Sequence, residues 1–271
     1  MNSFRKTRIM GILNITPDSF YDGGMHNSIE KGFSHALKMS EDGADIIDVG
    51  GESTRPGSLP VSVSEEIDRV VPVIERIVKE ISIPVSIDTT KSQVAVEAVK
   101  AGASIINDIS GLTFDPAIIK AAADYKTWLI ISHIKGTPYD MQKNTGYNDI
   151  IKDILDFLNI AINNALDQGV SREKIILDPG IGFGKSQEQN YIILNNIMKI
   201  RETGYPVLIG LSRKSLIGKL YNYNEEDRLP ATIALNAVAV NNGADIVRVH
   251  DVKAHRLAMD SIDFLKRTVS E

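Results

Sequence analysis

What most limits how this chain can fold is a unit that returns eight times. It consists of a short apolar run, a polar or glycine-rich stretch, and then an amphipathic helical segment. The runs are Ile9–Leu13, Ile46–Val49, Val85–Ile87, Ile105–Ile106, Trp128–Ile131, Ile175–Leu177, Val207–Ile209 and Ile246–Val249. They are continuous and rich in Ile and Val, as strands buried on both faces are. Between them, Ile29–Glu41, Val63–Lys79, Ile150–Leu166 and Thr232–Val240 carry apolar residues at helical spacing. Gly43-Ala44, Gly102-Ala103 and Gly243-Ala244 stand just before strands, where a glycine ends the preceding helix.

Alternating strands and helices imply a parallel sheet, either open and doubly wound or closed into a barrel. An open sheet gathers its polar loops at one switch point. Here nearly every apolar run ends in polar residues, which suits a barrel whose site collects loops from all round one rim. The expected fold is α/β, a single (β/α)8 TIM barrel, with residues 1–271 forming one domain. The length of 271 residues is usual for one such barrel.

The formal net charge of −5 comes without any dense basic block, which argues against broad nucleic-acid binding. There is no cysteine, so disulfides and thiolate metal sites are excluded. The opening MNSFRKTRIMGILN has no apolar stretch suited to a signal peptide, and no later run approaches the ~20 residues of a membrane span. The expectation is a cytoplasmic protein with neither membrane nor nucleic acid as partner.

Reading only the C-terminal strand ends gives Asn14; Glu52, Thr54 and Arg55; Asp88; Asn107 and Asp108; His133; Asp178; Lys214; then Arg248 and His250. Any single Asp or Asn here is explained as a helix cap or a loop-satisfying group. Capping does not explain Arg55, Lys214, Arg248 and His250 at the same rim. The set divides by chemistry. Asp88, Asn107 and Asp178 offer acceptors and one amide, which suits a flat heterocycle with several N–H edges. Arg55, Arg248 and His250 suit a phosphate or diphosphate, and the loop after the last strand of a barrel is a frequent phosphate site. Arg248 and His250, two apart on an extended segment, share one face. The bland alternative for Arg248 is an ion pair with Asp245 or Asp251.

Two motifs are declined. GIGFGKS (180–186) resembles a phosphate-binding loop but has Pro179 where the first glycine must be, and its glycines miss dinucleotide-binding spacing. They read instead as a tight loop where backbone approaches a ligand closely. The histidines at 26, 35, 133, 250 and 255 lack zinc spacing; His35 and His255 read as helix-surface residues, His133 as a buried strand end.

The segments MGILNITPDSFYDGG (10–24), DVGGESTRPGS (48–58), SIDTTK (86–91), IINDISG (105–111), ILDPGIGFGK (176–185), LSRKS (211–215) and RVHD (248–251), in this order, resemble the signature segments of the dihydropteroate synthase family. The resemblance spans nearly the whole chain. It implies condensation of 6-hydroxymethyl-7,8-dihydropterin diphosphate with p-aminobenzoate, with Asp88, Lys214, Arg55, Arg248 and His250 catalytic. Asp88, Asn107, Asp178 and Lys214 would hold the pterin. Asn14, Thr54, Arg55, Arg248 and His250 would serve the diphosphate and its Mg²⁺, with Asn14 the metal ligand. Phe20, Pro56 and Phe183 would wall the aminobenzoate ring, and Ser215 would receive its carboxylate. Loops 15–24 and 51–58 would close over the site. The resemblance also implies a homodimer, for which Ile192–Met198 and Thr232–Val240 offer apolar faces. Two positions depart from the family pattern: Ser132-His133-Ile134 replaces Met-His-Met or Met-His-Asn, and Tyr21 stands where serine is common. The rival readings are a pterin-dependent methyltransferase and a catalytically silent pterin-binding paralogue.

Overall fold

The helix-ending glycines behave as the sequence predicts. Gly43, Gly102 and Gly243 have φ of +95°, +117° and +110°, and the following alanines donate back to Met39, Ala98 and Ala239. This left-handed cap reverses the chain directly into the next strand. The computed structural model describes residues 6–16, 24–55, 57–221, 223–224 and 227–269.

The strands are β1 (Arg8–Asn14), β2 (Ile46–Gly50), β3 (Val85–Asp88), β4 (Ile105–Asp108), β5 (Trp128–Ser132), β6 (Ile175–Asp178), β7 (Leu208–Gly210) and β8 (Ile246–Val249). They form one parallel sheet in the order β6-β5-β4-β3-β2-β1-β8-β7. The ring closes where Leu177 bridges Val207, with the Leu177 N–H donating to Pro206 at 2.9 Å. Val207, expected inside a strand, is therefore the closing bridge, and β7 begins one residue later. Most of the other strands run one or two residues past the apolar run, so Asn14, Asp88, Asn107, Asp108 and Asp178 belong to the sheet itself. Site side chains on strands are held more rigidly than on loops.

Outside lie α1 (Gly24–Glu41), α2 (Val63–Glu80), α3 (Ser92–Lys100), α4 (Ala117–Tyr125), α5 (Ile150–Asp167), α6 (Gln187–Asn195), α7 (Ile197–Arg201), α8 (Ser215–Tyr221), α9 (Arg228–Asn241) and α10 (Val252–Val269). Side chains at the N-cap position close α2 (Ser62), α5 (Asp149) and α6 (Ser186, with Gln189 in a reciprocal capping box). The segment Ile192–Met198, read as one apolar face, is split at Asn196 between α6 and α7. His255, read as a surface residue, is fully buried on α10, its Nδ1 2.8 Å from the Asp251 carbonyl.

Two cores follow from the strand period of two. Outward residues pack under the helices in one large cluster, and inward residues Met10, Ile46, Ile105, Ile130, Ile176, Leu208 and Ile246 form a separate plug. Two residues further along each strand, the inward positions are Ile12, Asp48, Asn107, Ser132, Asp178, Gly210 and Arg248, with Asp88 following Ser86 on β3. One step of the pleat converts an apolar plug into a polar floor.

The glycines of 180–184 form the tight loop expected, and two of them are required by neighbouring backbone. A Cβ on Gly180 would stand 1.8 Å from the His133 carbonyl oxygen, and one on Gly184 would stand 2.4 Å from that of Lys135. They let the β6 loop lie against the β5 loop. Gly180→Ala, which adds backbone overlap to a φ of +69°, is expected to cost about 3 kcal/mol or more. Gly57→Ala at φ +83°, with no atom within 4 Å of the new methyl, should cost about 1 kcal/mol. Denaturant midpoints would show the difference; equal losses would contradict it.

Candidate active site

The polar floor is organised by Arg248. Its Nε donates to Asp48 Oδ2 at 2.6 Å and its Nη2 to Asp88 Oδ2 at 2.6 Å. Asn107 Nδ2 also donates to Asp48 Oδ2, at 3.1 Å. Strands β2, β3, β4 and β8 thus meet in one hydrogen-bonded group. The alternative partners for Arg248 are excluded: Asp245 pairs with Arg201 and Asp251 with Arg213.

Burial sets the electrostatics. Burial would lower the Arg248 guanidinium, but Asp48 and Asp88 outweigh it and raise its pKa further. Burial pushes the Asp88 carboxyl up, opposed by Arg248 and reinforced by Asp48, Glu66 and Asp108. A second group lies beside the first. Asp178 is raised by burial and restrained by Lys214, while it accepts from the Gly180 N–H at 2.7 Å. Burial brings Lys214 down to about 8, opposed by Asp178. Its Nζ donates to the Ile181 carbonyl and lies 4.3 Å from the centre of the Phe183 ring.

His250 differs from expectation. Its Nδ1 lies 3.0 Å from Ser212 Oγ, and burial, reinforced by Arg248 and Arg213, brings its pKa down to about 4. Placed so, it is a neutral hydrogen-bonding group rather than a cation. Arg55 is exposed at the rim, Thr54 is half-buried and Ser215 is exposed at the first residue of α8. Phe20 and Pro56 lie outside the described residues. Asp108 takes the bland role, accepting from the N–H groups of Ser110 and Leu112 and from Ser110 Oγ, with burial raising it to about 6.

A cavity of about 270 Å³ opens beside Asp88. Thr54, Ser58 and Pro60 from the β2 loop line one side, and Thr137, Pro138 and Tyr139 from the β5 loop another. The Gly57 N–H donates to the Pro138 carbonyl at 3.0 Å, tying the two loops together. At its wall, Lys91 pairs with Glu52 and with the buried Glu66.

Three participants escaped the sequence reading. Asp48 lies inside the Ile46–Val49 run, two residues from Ile46 and on the same inward face. Lys91 stands beyond the strand end. Lys185 is buried against the Gly180, Phe183 and His133 carbonyls and lies 2.9 Å from His133 Nδ1. Nothing in its glycine-rich surroundings signals burial.

For Mg²⁺, no three His, Cys, Asp or Glu side chains converge among the described residues. A Cβ on Gly50 would stand 3.7 Å from Asn14 Oδ1 and 3.9 Å from Asp88 Oδ2, so the bare glycine leaves these oxygens uncovered. A sparse oxygen set fits an ion that keeps waters and shares substrate phosphates.

The model of the family described as pterin binding enzyme matches residues 10–250. The dihydropteroate synthase of Clostridium beijerinckii is 49% identical over 267 residues, covering 98% of this chain and 97% of that one. The structure of dihydropteroate synthase from Clostridium difficile in the presence of pteroic acid superposes with a TM-score of 0.92 at 44% identity, covering 98% of both chains. That of the Xanthomonas albilineans enzyme with 4-aminobenzoic acid gives 0.91 at 40% identity, covering 97% and 94%.

Without added ligand, His250 and His133 should titrate near pH 4 and 3, against an ordinary 6.5. Burial is the main cause for both. Because the unfolded chain takes up these protons first, stability present above about pH 6.5 is lost as pH falls towards 4. Imidazole NMR titration checks this; midpoints near 6.5 would contradict it.

Proposed function

The chain belongs to the dihydropteroate synthase family of pterin-binding enzymes, and from that premise we propose that it joins 6-hydroxymethyl-7,8-dihydropterin diphosphate to p-aminobenzoate, releasing 7,8-dihydropteroate and diphosphate. The observation that carries the reading is the polar layer of Asp88, Asn107, Asp178, Lys214 and Arg248 at one end of the barrel. Two relatives of known structure, one with pteroic acid and one with 4-aminobenzoic acid, support both halves of the product.

In this reading Asp88 and Asp178 accept the N–H edges of the pterin and Asn107 fixes its plane. The plug beneath the floor closes the barrel to water from below. The bond from the exocyclic methylene to the diphosphate oxygen breaks, and its electron pair leaves with the diphosphate. The electron-rich ring supports the positive charge that develops on the methylene carbon, and the Asp88 carboxylate stabilises it. The arylamine nitrogen forms the new C–N bond and loses one proton. Arg248 and Arg55 stabilise the departing oxygens, and His250 assists as a neutral hydrogen-bond partner whose proton affinity rises beside an anion. No protein nucleophile is required. Phe183, with Phe20 and Pro56, walls the aminobenzoate ring, and Ser215 meets its carboxylate.

Asn14 would be the protein ligand for Mg²⁺, which would supply charge neutralisation at the diphosphate when bound. The whole chain acts as one pterin-binding domain, in the cytoplasm, as a homodimer. The exposed Ile192, Met198 and Val238 support the dimer. Methyl transfer from a pterin would leave Thr54 and Arg55 at the rim without a role.

Diphosphate release in the presence of Mg²⁺ should require both substrates together. Asp88→Ala, Lys214→Ala and Arg248→Ala should each lose roughly 100-fold in kcat/KM, about 2.7 kcal/mol, while staying folded. Full activity in Arg248→Ala would remove its assignment to the leaving group.

A further inference from the structure

Arg248 is shared between two carboxylates of unequal access. Asp48 is 0% exposed, whereas Asp88 is 8% exposed and lines the cavity. Any ligand entering from the rim therefore reaches Asp88 and not Asp48. The guanidinium contacts Asp48 through Nε and Asp88 through Nη2, each at an Oδ2 atom. Nε and Nη2 are the two prongs that can grip a single carboxylate side-on. Among the described residues, Asp48 Oδ1 accepts no hydrogen bond although it is buried.

We propose that Asp48 is a positioning residue that anchors an exchangeable ion pair: when a pterin occupies Asp88, Nη2 of Arg248 moves from Asp88 to the vacant Oδ1 of Asp48, while Nε stays on Oδ2. The exchange makes no and breaks no covalent bond. It frees Asp88 to accept two N–H groups and keeps the guanidinium paired in a layer where an unpaired charge is costly. Asn107, donating to the same Oδ2, fixes the Asp48 carboxylate on its strand so that it does not follow the arginine. The remaining Nη1 is then left for the leaving group. Binding at Asp88 and orientation of Arg248 become one event. The inference rests on the reading of Asp88 as the pterin acceptor.

The test uses the full chain and 6-hydroxymethylpterin, which lacks the diphosphate. Asp48→Asn keeps the shape of the side chain but offers only one acceptor, so both prongs cannot be held. Its dissociation constant for the pterin, measured by calorimetry on folded protein, should rise at least tenfold, with KM for p-aminobenzoate unchanged. An affinity within twofold of wild type, or a loss confined to thermal stability, would assign Asp48 a structural role only and overturn the proposal. Should the variant fail to fold, arginine-side-chain NMR on the wild type decides. Adding pterin should leave the Arg248 Nε–H protected from exchange while the Nη2 resonance shifts. Loss of Nε–H protection, or an unmoved Nη2, would overturn it. Failure of wild type to release diphosphate would instead sink the reading of the activity, independently of Asp48.

Discussion

The alternation of side chains along a parallel strand is the constraint from which the site follows. Seven strands each give one apolar inward residue to the plug, and the next inward residue, nearer the rim, comes two positions later. At that depth the protein sets Asp48, Asp88, Asn107, Asp178 and Arg248 side by side. Arg248 and Lys214 are the cations that meet these carboxylates there, and they oppose the rise that burial imposes on Asp88 and Asp178. The plug beneath and the charges above explain one another: the first excludes water, and the second need that exclusion to act strongly on a substrate.

The architecture was legible because its signals are local and repeated. Ile/Val runs, helix-ending glycines and polar strand ends each report on a few neighbouring residues. Strand limits were missed mainly at the C-terminal ends, because the last residues of most strands are polar and propensity alone stops at the apolar run. Val207 was misplaced because the β6–β7 seam is a single bridge, a property of ring closure that no local pattern carries.

At the site, residue types were legible and partnerships were not. Arg248 finds its partners 160 and 200 positions away, whereas the sequence reading considered acids within three. The same limit hid Lys185 and the backbone that Gly180 and Gly184 lie against. The φ values of these two were implied by the sequence; what they approach, the backbone of 133–135, was not. His250 was seen as a cation because burial and the neighbouring Arg248, which lower its pKa, belong to tertiary structure.

The central claim is that the second inward layer of the barrel is the floor on which the pterin lies. A crystal structure of the chain with 6-hydroxymethylpterin bound tests it most directly. The account predicts the bicycle directly above the plug, with its N–H edges on Asp88 and Asp178 and its plane against Asn107. A pterin seated elsewhere, with Asp88 and Asp178 facing different molecules or none, would contradict it.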